Sequence, residues 1–423
     1  MMFQKAKYFV GVSAVLGVAS ESVPMRMTDL GALDGNVCTA EGVNDDGGVV
    51  GSCRTGSGEL VATYWAPNAA PAVLAPLEVG RSCDAHGINA AGVAIGSCAL
   101  GSGGGSSESG ESAAVRWASL PAGLPQRLNP VYLDAQAHAA RINAHGTVAG
   151  SSIAKDGAAR PVIWTTGAVT PTVLSDLSPQ GTSCRIDDMT DEEEPTLVGV
   201  CNLGHGGSVA VRWTPSPSYP ITELSPFEGG SNCTATAIDA QRRIAGTCET
   251  ADGKRAAVRW RADGTGMAVL YGVGEAGERQ RLEVTGMNDA GVVVGNYTTD
   301  AGLVRAFVWV PSDDAEKERA LDLGALGAGW THAWRIGNDG IVAGTAQNAR
   351  GDQEAFVWTA ETALTGLGHL GGASSTVTAM SDRGRIAGVS KTRDGGTHVF
   401  LITEGGPSRP PAGCERARAL GAY

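Results

Sequence analysis

The sequence predicts an all-β fold, a β-propeller of eight blades with about four antiparallel strands each and disulfides inside the blades. Three observations predict it. A tryptophan closing a short apolar run recurs every 44 to 52 residues, at Trp65, Trp117, Trp164, Trp213, Trp260, Trp309 and Trp358, with Ile402 in the eighth place. Four cysteine pairs repeat at one register: Cys38 with Cys53, Cys83 with Cys98, Cys184 with Cys201, and Cys233 with Cys248. Each pair straddles a turn such as Val43-Asn44-Asp45-Asp46-Gly47, as disulfides across β-hairpins would. Finally, 61 glycines and only 18% charged residues suit many short strands joined by turns, while 42% hydrophobic content supplies a core.

At the N-terminus, Lys5 and Lys7 precede an apolar run from Tyr8 to Ala19, so residues 1–20 are expected to be a signal peptide; the run is too short to span a bilayer. The repeats then occupy residues 27–403. Each unit reads as a strand like Thr28-Asp29-Leu30-Gly31, a strand ending in Ile88-Asn89 or its equivalent, a turn, a strand like Val292-Val293-Val294-Gly295, and the closing Trp strand. Four short strands every ~45 residues is the period of propeller blades, small sheets whose two apolar faces only neighbours can cover. Solenoid coils repeat every ~20–30 residues, and a transmembrane barrel needs strands of ~10 residues with aromatic girdles. Leu133 to Ala144 is alanine-rich and helical by propensity, yet Ile142-Asn143-Ala144-His145-Gly146 aligns with the turn of every other unit and predicts a strand. Residues 404–423 form a Pro- and Arg-containing tail, expected to be flexible, with Cys414 left as a free thiol or an intermolecular bridge.

The closing strands Arg305-Ala306-Phe307-Val308-Trp309, Glu354-Ala355-Phe356-Val357-Trp358 and His398-Val399-Phe400-Leu401-Ile402 carry a His-Ala-Phe-like motif. Together with Asp322-Leu323-Gly324-Ala325-Leu326-Gly327 and Gly286 to Gly295, they make the chain resemble the extracellular HAF-repeat family over almost its whole length. The resemblance implies an exported bacterial propeller-like protein and carries over no catalytic residue. Disulfide units depart from the motif, with Thr63, Val115, Val211 and Val258 where the sixth to eighth units have phenylalanine. A disulfide or a phenyl ring would then fill equivalent space between blades.

The charge excludes some partners. A net charge of −12 argues against nucleic acid, which rewards basic patches, and no second apolar stretch reaches membrane-spanning length. No nucleophile elbow, phosphate loop or zinc-binding helix appears, and no cofactor or metal is implied. The acidic turns are explained by the Asx bonds that tight hairpins need. Function is sought on the strand before each turn. One of its faces carries the cysteines and alanines, and the other is polar in every unit. That face offers Glu41, Asp84, His86, His138, Arg185, Asp187, Glu283, His332 and Trp334 as candidate ligand-binding residues, and Trp330 and Trp334 flank His332 as aromatics able to stack on a sugar. Eight such strands around an axis would make a polar channel or rim for an unknown extracellular glycan, protein or small molecule. The sequence therefore favours a non-enzymatic binding or scaffold propeller; the alternative is an exported hydrolase or lyase with acid and base residues at the channel mouth.

Overall fold

The computed structural model describes residues 25–33, 37–101, 112–132, 136–155, 157–177, 183–204, 206–216, 218–270, 281–311 and 320–404. The expected signal peptide and most of the C-terminal tail, with Cys414, lie outside the described residues. Every sheet is built of short strands. Six four-stranded antiparallel sheets follow one another along the chain, and two further blades share an eight-stranded sheet through a single parallel pairing of Gln353 with Ser374. The first strands of the eight blades are Cys38–Val43, Cys83–Ile88, Gln136–Ile142, Ser183–Met189, Ser231–Ile238, Arg281–Met287, Thr331–Ile336 and Gly371–Met380. Each first strand touches its counterparts in both neighbouring blades, all the way round, so the eight enclose a common axis. Gln136–Ile142 is a strand, as the register requires against its alanine content.

The sequence unit and the blade differ by one strand. Met25–Gly31, read as the opening strand of the first unit, pairs instead with Thr397–Glu404 as the outer strand of the eighth blade, Met25 against Glu404 and Thr28 against Leu401. A blade thus begins with the second strand of a unit, and the two ends of the array close the ring by pairing in one sheet. Asp29 accepts from His398 Nδ1 at 3.0 Å, fastening this closure.

Each sheet has two apolar faces, and the core lies in eight clusters, one at every seam between blades. The closing tryptophans are buried there. Five of them also donate an indole N–H to a carbonyl of the preceding blade: Trp65 to Gly31, Trp117 to Ala75, Trp164 to Asn129, Trp213 to Ser175 and Trp260 to Ser225. All four disulfides form within blades, between the first and second strands. In three bridged blades the sulfurs share their seam cluster with Val115, Val211 or Val258, two places before the tryptophan. In the sixth, Phe307 packs with Leu282 and Tyr297, which occupy the two cysteine positions.

Turn residues tie the ring at one end. Asn44, Asn89, Asn143 and Asn288 each accept from the backbone N–H four residues on, and each donates through Nδ2 to a turn carbonyl of the next blade. Their oxygens therefore make the expected Asx bonds, and their nitrogens add a clasp between blades that the sequence did not reveal.

Candidate axial binding site

The axis-facing side chains sit where they do because every first strand carries a β-bulge. The pairing register slips at Ala40/Gly42, Ala85/Gly87, Ala139/Arg141, Ile186/Asp188, Ala235/Ala237, Val284/Gly286, Ala333/Arg335 and Val377/Ala379. A bulge leaves one residue unpaired and re-aims its neighbours. The skipped residues include Glu41, His86, Asp187 and Trp334. The facing glycine of the second strand accommodates the kink: a Cβ on Gly51, Gly96, Gly150, Gly199, Gly246, Gly295, Gly344 or Gly388 would overlap a first-strand carbonyl oxygen, that of Thr39 for Gly51 and of Glu283 for Gly295.

The polar faces divide into three groups around the axis. Blades one to three bring together Glu41, Asp84, His86 and His138. The imidazoles of His86 and His138 stack at 6.2 Å, and His86 Nε2 lies 3.2 Å from Ser97 Oγ and 3.4 Å from Asp84 Oδ1. Burial holds the Glu41 carboxyl above its usual range, partly offset by His86, while burial and His86 together hold His138 below the usual imidazole value.

On the opposite side, a cavity of about 590 Å³ is lined by Arg141, Arg185, Asp187, Thr234, Thr236, Glu249, Arg255, Arg281, Glu283, Thr285 and Arg335, among others. It joins blades three to seven, so it lies at the axis and collects three predicted residues, Arg185, Asp187 and Glu283. Arg185 Nε pairs with Asp187 at 2.8 Å and Arg255 with Glu283 at 3.1 Å. Arg141 donates to the carbonyls of Asp187 and Ala140. Burial, and then the like charge of Arg141, hold Arg335 below the usual guanidinium range; its charge is eased by Asp188 and Asp382. Arg335 is exposed within the cavity.

The third group is aromatic. His332 and Trp334 contact each other on blade seven with ring centroids 4.5 Å apart, and Trp334 is 45% exposed. His332 faces Asn296 of blade six, and burial lowers its pKa, with Glu283 opposing. His332 belongs to this group, apart from His86 and His138. Trp330 lies just before the strand, half-buried.

Near the turns the axis becomes acidic. Asp382 has its carboxyl pushed up to about 6, by burial first and then by Asp191, Asp188, Asp45 and Asp289. The sequence reading missed Arg141, Asp188 and Arg335. Strict alternation puts them on the cysteine face, and only the bulge turns them to the axis. A charge at a position that is Gly or Ala in the other five units was the available signal.

Comparison with known proteins supports the architecture. No protein-family model matches the chain, and the search of curated proteins finds no match. Among solved structures, the chain is similar to the β-propeller domain of the trilobed protease from Pyrococcus furiosus, at 12% identity and TM-score 0.50 over 79% of this chain and 98% of that one. It is likewise similar to the WD40 domain of SCAP from fission yeast, at 9% identity and TM-score 0.50 over 90% and 98%. One of two prolyl endopeptidases studied together gives 9% identity and TM-score 0.54 over 85% of this chain, which spans 55% of that protein. At these identities the likeness is one of fold, and the chain is a β-propeller.

Proposed function

We propose that this chain is an exported binding propeller that captures a polar ligand in its axial channel. The observation that carries the proposal is the axial cavity, whose volume suits a small ligand and whose walls offer guanidinium, carboxylate and hydroxyl groups from five blades. Four intra-blade disulfides favour an oxidising compartment, and the resemblance to HAF repeats agrees with export. The test is a screen of glycans and small molecules against the folded protein by thermal shift, followed by Asp187→Asn and Glu283→Gln. A hit whose affinity falls in both variants supports the reading; a hit indifferent to them removes the channel from it.

A second reading rests on the other wall. Glu41, Asp84, His86 and His138 place a carboxyl of raised pKa beside two imidazoles, which suits general acid–base chemistry in a hydrolase or lyase. Loss of turnover of a candidate polymer in Glu41→Gln and His86→Asn, with folding kept, would favour this reading over binding alone.

A further inference from the structure

Formal charge inside the cavity runs against that of the chain. Five arginines, Arg141, Arg185, Arg255, Arg281 and Arg335, face three carboxylates, Asp187, Glu249 and Glu283, in a protein whose net charge is −12. Two of the arginines are ion-paired, Arg185 with Asp187 and Arg255 with Glu283. Among the described residues, Arg141, Arg281 and Arg335 form no ion pair, and Glu249 is held by the amide of Asn232 rather than by a cation. All three are exposed within the cavity. A guanidinium presents a rigid fork matched to carboxylate and sulfate oxygens. Arg141 adds a like charge beside Arg335, and Asp188 and Asp382 ease it.

The remaining wall is suited to hydroxyls. Thr234, Thr236 and Thr285 line the cavity with the arginines, and Trp334, next to Arg335 in the chain but outside the cavity lining, stands exposed against His332. Stacking surface, hydroxyl partners and unpaired guanidinium groups together are what an acidic sugar needs. A cavity of about 590 Å³ also exceeds the needs of a lone inorganic anion. At the turn end of the axis, Asp191, Asp289 and Asp382 would repel an anion, so the ligand is expected to enter from the opposite end.

Resting on the binding reading above, we infer that the axial cavity takes an acidic oligosaccharide, its carboxylate or sulfate group held by Arg281 and Arg335 and its ring on Trp334. The test is calorimetric titration of the folded, disulfide-intact protein with four probes: a hyaluronan tetrasaccharide for carboxylate, a sulfated chondroitin tetrasaccharide for sulfate, chitotetraose as a neutral sugar, and tetraglutamate as an acidic peptide. The expected result is binding of at least one acidic sugar. That binding should weaken about tenfold or more in Arg281→Gln and in Arg335→Gln, the range for a charge-assisted bond, and should weaken in Trp334→Ala. Which acidic sugar binds distinguishes carboxylate from sulfate. Chitotetraose binding as tightly, and losing affinity in Glu283→Gln, overturns the anion inference while leaving the channel as the site. Tetraglutamate binding as tightly overturns the sugar. Acidic sugars that bind all variants equally, or no binding by either acidic sugar, overturn the inference. Circular dichroism and thermal melts of each variant separate lost binding from lost folding.

Discussion

Glycine in the second strand of each blade is the residue on which the channel depends. The bulge that aims Glu41, His86, Asp187 and Arg335 brings a first-strand carbonyl against that strand, and only a residue without a Cβ fits. Gly295→Ala must displace the Glu283 carbonyl and the Phe307 ring; overpacking of this kind costs about 1–3 kcal/mol, occasionally more. Chemical denaturation should show the loss, and a second alanine at an open glycine such as Gly56, with nothing near its Cβ, should show almost none. Asp382 makes a prediction in pH. Its folded pKa is about 6 against an unfolded value near ~3.9, so the folded state favours the protonated form. Its stabilising contribution is complete below the unfolded value and is lost as pH rises through 6. Asp382→Asn should therefore be more stable than the parent at pH 7.5, with the gain shrinking toward zero by about pH 4. Melting curves across that range check it, and a gain independent of pH would remove the carboxylate cluster as its cause.

At the scale of the element, seams are filled in two ways. Disulfides lie at the seams between blades eight and one, one and two, three and four, and four and five, while phenylalanines fill the last three. The seam between blades two and three has neither, only small and medium aliphatic side chains around Trp164. We expect hydrogen exchange to be fastest there, because the seam holds neither a disulfide nor a phenylalanine and no covalent link braces the third blade. Replacing Cys83 and Cys98 by alanine should cost about 3 kcal/mol, the loop entropy of a bridge across some fifteen residues. Adding Val115→Phe to that variant should recover part of the loss if ring and bridge are exchangeable fillers; a further fall in stability would reject the exchange. The strand count, the disulfide pairs and the tryptophan seams were legible in the sequence because apolar period and cysteine spacing are local signals. The bulges were not, because alternation is broken by one residue whose partner strand decides the register. Arg141, Asp188 and Arg335 were lost with them. Asn44, Asn89, Asn143 and Asn288 were read as turn formers, which they are; their amide nitrogens reach the next blade only once the ring is closed.

For the whole molecule, closure is the property that the sequence unit conceals. The strand Met25–Gly31 opens the first repeat but completes the last blade, so the chain ends hold the ring together like a clasp. Deleting residues 25–31 exposes the edge of Thr397–Glu404 and removes the Asp29–His398 contact. Exposed edges invite pairing with other chains, so the truncated protein should melt at lower temperature and associate in sedimentation. His398→Ala alone should cost no more than about 1 kcal/mol, as expected for a part-exposed ion pair. A closed ring also explains the division of charge along the axis: eight turns bring carboxylates together at one end, while bulge-aimed arginines face the cavity behind them. That cavity is the proposed ligand site. The most direct measurement is a crystal structure of the protein with the ligand that binds it best. Density is expected between Arg185, Glu283 and Arg335, bounded by Thr236 and Thr285; density confined to an outer strand edge or a rim loop, with the axial cavity holding only water, would place the ligand elsewhere and reject the axial site.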